Sequence, residues 1–251
     1  MSAARLLVDL GNSRLKWALA PASAWQSATA VHAGRDLGAV LDEVWGRSRP
    51  PQALLAVSVA PAAIREALER WVSARWGIEV RYARARAEQC GVINRYREPE
   101  ALGADRWAAV IGARVAFPGR HVAVVDCGTA VTVDALSAEG EFLGGVIAPG
   151  IGLQRQALVA GTGGIRVTDG EAASCLARTT GDAVAAGTLH AVVGLIERAC
   201  ADFERALGAP FERVLTGGDA GHVAAHLGPG VHRAPDLVLQ GLSAMAGEDA
   251  A

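Results

Sequence analysis

Lysine is almost missing from this chain: Lys16 stands alone against 23 arginines. The two are not interchangeable, because an ammonium is a compact point charge and a guanidinium a planar fork. The one ammonium falls beside the first glycine-containing turn. Aromatic residues are scarce as well, at 5%. No apolar run approaches the ~20 residues that span a bilayer, and the run that ends at Asp9 is too short for a signal peptide. Both features point to a cytoplasmic protein without membrane contact. Excess positive charge is also lacking: the formal net charge is −2 and the pI about 6.3, which argues against a nucleic-acid partner. The four cysteines, at 90, 127, 175 and 200, form no Cys-x-x-Cys pair. Neither a zinc site nor a thioredoxin-like motif is signalled, and buried thiols in a reducing compartment are the simplest account.

What is present is a repeated local grammar. Leu6-Leu7-Val8 leads into Asp9-Leu10-Gly11-Asn12-Ser13, after which Leu15, Trp17 and Leu19 alternate with Arg14, Lys16 and Ala18. Period two predicts a strand on each side of the turn. The pattern returns 117 residues later: Val122–Val125 lead into Asp126-Cys127-Gly128-Thr129-Ala130, alternation resumes through Asp134, and a third strand follows near Phe142–Ile147. We read an internal duplication, with halves at residues 1–118 and 119–251. Between the hairpins, Leu54–Val59 and Ile78–Tyr82 read as strands, and Pro61 is suited to open a helix. Pro99–Phe117 reads as helical with an interruption near Gly103. Asp182 to Leu207 reads as a long helix with Ala191, Leu195, Ala199 and Phe203 on one face. Arg213–Thr216 reads as a strand and Asp219–Leu227 as a helix. Strands alternating with helices give an α/β fold.

The chemistry concentrates at the turns. Gly-Lys-Ser/Thr is absent, so this is not the nucleotide loop in which a helix follows the glycines, and Gly161-Thr162-Gly163-Gly164 reads as a loop. Glycine lets backbone N–H groups approach phosphate oxygens closely. Asn12, Ser13 and Thr129 add neutral donors, and Lys16 adds a cation. Paired turns would set Asp9 and Asp126 across one cleft. Two carboxylates ~4 Å apart repel by roughly 4 kcal/mol at an effective dielectric of about 20, so such a pair calls for cations, and ATP chemistry supplies Mg²⁺. The alternative is that each Asp caps its own turn. Asp105 has two readings as well: an N-cap for the helix over Trp107–Val115, or a base for an attacking hydroxyl, with Arg106 holding substrate or phosphate.

These stretches, taken in order, resemble the type III pantothenate kinase family of the acetate/sugar kinase–Hsp70–actin superfamily. The resemblance rests on Asp9-Leu-Gly-Asn-Ser-Arg-Leu-Lys16, Gly103-Ala-Asp-Arg106, Asp126-Cys-Gly-Thr-Ala130, Gly144-Gly145-Val-Ile-Ala-Pro-Gly150, Thr180 with Gly187, and Thr216-Gly-Gly-Asp219. It implies a duplicated ribonuclease H-like (actin-like ATPase) fold with the active site in the cleft between halves. It also implies phosphorylation of pantothenate by ATP, the first step of coenzyme A biosynthesis. ATP would be bound by Asp9, Leu10, Gly11, Asn12, Ser13, Arg14, Leu15, Lys16 and Thr129, with Asp9 near Mg²⁺, through water or directly. Asp105 would be the catalytic base. Tyr96, Gly103, Ala104, Asp105, Arg106 and Thr180 would meet pantothenate, and Asp126 would hold a monovalent cation, K⁺ or NH₄⁺. Thr180 would complete the pocket of a second copy in a homodimer. The chain departs from the family at Ser13, where Thr is usual; the hydroxyl is kept. Some members carry the name Bvg accessory factor. A kinase for another small hydroxylated metabolite and a non-catalytic nucleotide-binding regulator are the competing readings.

Overall fold

The structure, a computed structural model, describes residues 4–20, 25–166, 170 and 174–249. The chain divides into two compact units: residues 1–118 with 140–142 and 236–251, and residues 119–139 with 143–235.

The first unit opens with β1 (Arg5–Leu10), β2 (Arg14–Ala20) and β3 (Ser27–Val31), followed by α1 (Leu37–Trp45), β4 (Ala53–Ser58), α2 (Ala62–Trp76) and β5 (Val80–Tyr82). Its sheet runs β3-β2-β1-β4-β5, antiparallel from β3 to β1 and parallel from β1 to β5. β1 is central, and Leu6, Leu7 and Val8 are all buried; a strand covered on both faces requires an unbroken apolar run. Asp36 starts α1 by accepting a hydrogen bond from the Ala39 N–H at 2.9 Å. Gly77 ends α2 at φ 66°, a left-handed cap open to glycine. Trp17, Trp45, Trp71 and Trp76 gather in the core of this unit, neighbouring ring centroids lying 5.0 to 5.9 Å apart. The chain continues through β6 (Glu88–Gln89) and β7 (Val92–Asn94), a 3₁₀ turn at Pro99–Ala101, and α3 (Ala104–Ala116). Gly103 separates the last two, where the sequence predicts an interruption.

The second unit repeats the plan. β8 (Val122–Cys127), β9 (Ala130–Leu136) and β10 (Glu141–Pro149) are followed by α4 (Ile151–Gly161), α5 (Thr180–Leu207), β11 (Glu212–Thr216), α6 (Ala220–Ala224) and β12 (Val231–Arg233). The strand order β10-β9-β8-β11-β12 matches that of the first unit position by position, with β8–β9 antiparallel and β8–β11–β12 parallel. The first two residues of β10, Glu141 and Phe142, pair with Ile93 and Asn94 of β7 inside the first unit. In β10, Gly144 takes φ 117°, and a Cβ on Gly145 would collide with Asp134 and the Val133 carbonyl. The double glycine therefore admits a bend and a close approach together.

Three helix expectations shift. α5 begins at Thr180, two residues before Asp182, because Thr179 is the cap. Its buried face is Leu189, Val192, Val193, Ile196, Ala199 and Cys200, whereas Ala191 is exposed and Leu195 and Phe203 are half-buried. α6 ends at Ala224 instead of Leu227. In addition, α4 takes in Gly161 of the glycine segment read as a loop.

The last helix, α7 (Leu237–Glu248), belongs to the first unit and packs on α3. The contact is backbone on backbone: a Cβ on Gly112 would strike the Leu237 carbonyl, and one on Gly241 would strike the Ala108 carbonyl. Overpacking of this kind costs roughly 1–3 kcal/mol. Gly241→Ala should therefore lower the thermal midpoint by several degrees in a calorimetric melt, with Gly247→Ala, which meets nothing within 4 Å, as the unaffected control.

Candidate functional site

Each unit ends its central strand on an acid. Asp9 is the penultimate residue of β1 and lies opposite Lys16 across the antiparallel ladder and beside Val57 on β4. Directly opposed residues of an antiparallel pair share a face, so the register itself sets the only ammonium in the chain against this carboxylate. Leu10 and Leu15 are fully buried and close the base of the turn. The Gly11 N–H donates to the Arg14 carbonyl at 3.0 Å. Asn12 and Arg14 are exposed, and Gly11 and Ser13 are partly so.

Desolvation pushes the Asp9 carboxyl up to about 6; the Lys16 ammonium opposes this and the Asp105 carboxylate adds to it. Asp9 keeps some surface exposure, yet burial of the carboxyl is the largest influence. Asp9, Lys16 and Asp105 thus share one electrostatic environment within the first unit.

Asp105 is not the helix cap. Gly103 takes that position with φ −57° and ψ 132°, the chain enters α3 at Ala104, and Asp105 lies in the first turn, where the helix dipole favours negative charge. Its Oδ1 accepts from the Arg106 N–H at 2.8 Å. Arg106 is buried, 7% exposed. Its Nη1 donates to the Tyr96 hydroxyl at 2.9 Å, and its guanidinium lies 5.6 Å from the Tyr96 ring centroid and 5.9 Å from that of Phe142. An arginine over two aromatic faces is held by cation–π attraction. Tyr96 is fixed in turn: its N–H donates to Asn94 Oδ1 at 3.0 Å, and Asn94 Nδ2 donates to the Arg86 and Pro99 carbonyls. Sequence reasoning missed Phe142 and Asn94. No local pattern marks them; the pairing of β10 with β7 brings Phe142 to the site.

In the second unit, Asp126 is penultimate in β8, opposite Thr132 and beside Thr216. Glycines crowd its carboxylate. Gly217, at φ 93°, could carry no Cβ without striking Asp126 Oδ1, and a Cβ on Gly128 would stand 3.4 Å from the same oxygen. The Asp219 N–H donates to the Cys127 carbonyl at 2.9 Å, and the Gly150 N–H to the Thr129 carbonyl at 2.8 Å. The Thr216-Gly-Gly-Asp219 and Pro149-Gly150 stretches thus hold the Gly128–Thr129 turn. Thr180 is the first residue of α5 and is exposed. The Thr179 hydroxyl beside it accepts from the Asp182 N–H at 3.1 Å and donates to Asp182 Oδ2 at 2.8 Å.

Hard oxygen donors are what Mg²⁺ takes, through one or two carboxylates completed by phosphates and water. Asp9 fits: it is a desolvated carboxylate with a second acid nearby, a charge that a cation relieves. Among the described residues no group of three or more His, Cys, Asp or Glu forms a cage. Asp126, an oxygen donor with no ammonium across its ladder, suits a monovalent cation.

The sequence pattern of the family described as type III pantothenate kinase matches residues 5–202. Over 262 residues the chain is 44% identical to a type III pantothenate kinase of Burkholderia vietnamiensis, covering 100% of this chain and 99% of that protein. Another, from Nitrosococcus oceani, is 36% identical over 96% of this chain and 93% of its own length. Among solved structures, a Baf family protein of Campylobacter jejuni superposes with TM-score 0.61 at 20% identity, covering 98% of both chains. A glucokinase from an Antarctic psychrotroph gives 0.50 at 14% identity, covering 98% of this chain and 100% of its own. With the repeated sheet order, these likenesses identify the fold as the duplicated ribonuclease H-like fold of the actin-like ATPases.

The raised Asp9 carboxyl makes a signed prediction. The folded protein binds this proton more tightly than the unfolded chain, whose carboxyl titrates near 3.8. Stability of the ligand-free protein therefore falls as pH rises from about 4 to about 6 and stays reduced above. Asp9→Asn should be more stable than the parent at neutral pH, by about 1–3 kcal/mol, with the gap closing below about pH 4. Denaturant titrations across that range measure it.

Proposed function

We infer the reaction from one premise: the chain belongs to the type III pantothenate kinase family. It transfers a phosphoryl group from ATP to the hydroxyl of pantothenate, giving 4′-phosphopantothenate at the first step of coenzyme A biosynthesis. The observation that carries the reading is the meeting, within one unit, of the Asp9–Lys16 turn with Asp105 on the first turn of α3. A nucleotide-binding turn and a proton acceptor share one electrostatic site.

In this reading the turn over Asp9, Leu10, Gly11, Asn12, Ser13, Arg14, Leu15 and Lys16 receives the ATP phosphates. Backbone N–H groups and the Ser13 hydroxyl donate to phosphate oxygens, and Lys16 offsets their charge. Thr129 contacts ATP as well. Asp9 holds Mg²⁺, directly or through water; when bound, the ion neutralises charge developing on the phosphates. Asp105 orients the pantothenate hydroxyl and accepts its proton. Tyr96, Gly103, Ala104 and Arg106 hold the rest of the acceptor, and the buried Arg106 guanidinium is suited to a carboxylate. Asp126 holds a monovalent cation, K⁺ or NH₄⁺, supported by the neutral Thr132 opposite it where Asp9 has Lys16. Catalysis is positioning and charge stabilisation, as is usual for phosphoryl transfer.

The proposal extends to assembly and location. The second unit leaves Leu143, Val146, Ile147 and Leu153 exposed on β10 and α4, apolar surface suited to cover by a second copy. In such a homodimer Thr180 completes the partner's pantothenate pocket. The duplicated halves are assigned to residues 1–118 and 119–251, and the reaction to the cytoplasm. The apolar face of α5, the longest helix, lies in the core of the second unit, which supports a protein working away from membranes. The net charge of −2 supports one without a nucleic-acid partner.

A coupled ADP-release assay tests the reaction. Turnover should require pantothenate, reject sugars, and rise when K⁺ or NH₄⁺ replaces Na⁺. Asp105→Asn should lower kcat by roughly 10²–10⁴; unchanged turnover in that variant would falsify the base assignment. In gel filtration the protein should elute at twice its 25.8 kDa, and Ile147→Asp should shift it toward that single-chain mass.

A further inference from the structure

His32 lies just past the end of β3, outside every motif discussed above, and is only 2% exposed. Its ring Nε2 lies 3.0 Å from the Gly11 carbonyl oxygen. A carbonyl only accepts, so Nε2 carries the proton; both the imidazolium and the Nε2–H neutral tautomer satisfy this contact. The same residue's backbone N–H donates to the Ser13 carbonyl at 3.0 Å, and the Ala33 N–H to the same oxygen at 3.2 Å. Arg14 closes the loop by accepting from the Gly11 N–H at 3.0 Å. The carbonyls of Gly11, Ser13 and Arg14 are therefore all engaged by the protein's own donors.

In a planar trans peptide, C=O and N–H point in opposite directions. Anchoring the Gly11 oxygen to a buried ring thus fixes the Asn12 N–H pointing away from that ring, and Asn12 is exposed where Gly11 is only partly so. Glycine at 11 leaves this peptide free to turn about φ and ψ, so a tether from outside the loop has a function that sequence alone would not supply.

We propose that His32 is a positioning residue for nucleotide binding: by holding the Gly11 carbonyl it aims the Asn12 N–H at an ATP phosphate. The inference rests on the kinase reading, in which this turn receives the triphosphate. His32 itself touches neither substrate.

The test compares His32→Leu, which fills the space without a donor, with His32→Gln, whose amide nitrogen can replace the Nε2 donor. Calorimetric titration with Mg²⁺ and a non-hydrolysable ATP analogue reads the turn directly, and initial rates read KM for each substrate. His32→Leu should weaken nucleotide binding about tenfold and raise KM for ATP in parallel, leaving KM for pantothenate within about twofold. His32→Gln should recover most of the loss. A general structural role would move both KM values together or leave Gln no better than Leu, and either result overturns the proposal, as does unaltered nucleotide affinity in His32→Leu. If the parent binds the analogue but releases no ADP with pantothenate, the kinase reading fails, while the calorimetric comparison still decides the role of His32.

Discussion

A largely desolvated carboxylate at the end of a central strand, beside a glycine turn, is the constraint around which the rest of this protein is arranged. The fold places Asp9 there by the register of β1 against β2 and β4, and the desolvation that raises its proton affinity is the cost of that placement. A charge so held needs a counter-charge. The ladder provides Lys16; the proposed reaction provides a divalent ion with its nucleotide. Binding of substrate would then remove a penalty that the ligand-free protein carries, a natural way to couple affinity to a charged ligand.

Duplication explains why the same geometry recurs with different chemistry. The sheet orders correspond strand for strand, and each acid is penultimate in its central strand. What differs is the residue across the ladder, Lys16 in one unit and Thr132 in the other, and the packing of the turn. Around Gly11 the loop is fastened by a buried histidine; around Gly128 it is fastened by backbone hydrogen bonds from Gly150 and Asp219. The same strand–turn device is set differently by its neighbours in each unit.

Much of this was legible in the sequence because strand–turn–strand segments with an acid and a glycine leave a compact, local pattern. Both hairpins and the break at Gly103 are of that kind. Other elements left no such mark. β3 is almost wholly exposed, and alternation built on two alanines is too weak a signal to mark a strand, which exists through pairing with β2. α7 does carry a helical stripe, with Leu239, Leu242 and Met245 buried and Gln240, Ser243 and Ala244 half-buried, but Gly241 and Gly247 inside it weaken its helix signal. α5 reads as a helix from its sequence, but its alanines and glycines blur the stripe, and the buried face differs from the one that spacing predicts. Spacing offered Asp105 and Arg106 as one of two readings and the family resemblance favoured it, whereas the aromatic seat under Arg106 and the tether at His32 depend on contacts between residues distant in sequence.

The close seat of α7 on α3 has a bearing on biogenesis. α7 is the segment that completes the first unit, and every residue of the second unit precedes it in the chain. Vectorial synthesis therefore delivers the later-starting unit whole before the earlier one can close. Until α7 emerges, the side of α3 around Gly112 waits with its partner surface missing, a nascent-chain vulnerability set by the order of elements along the chain.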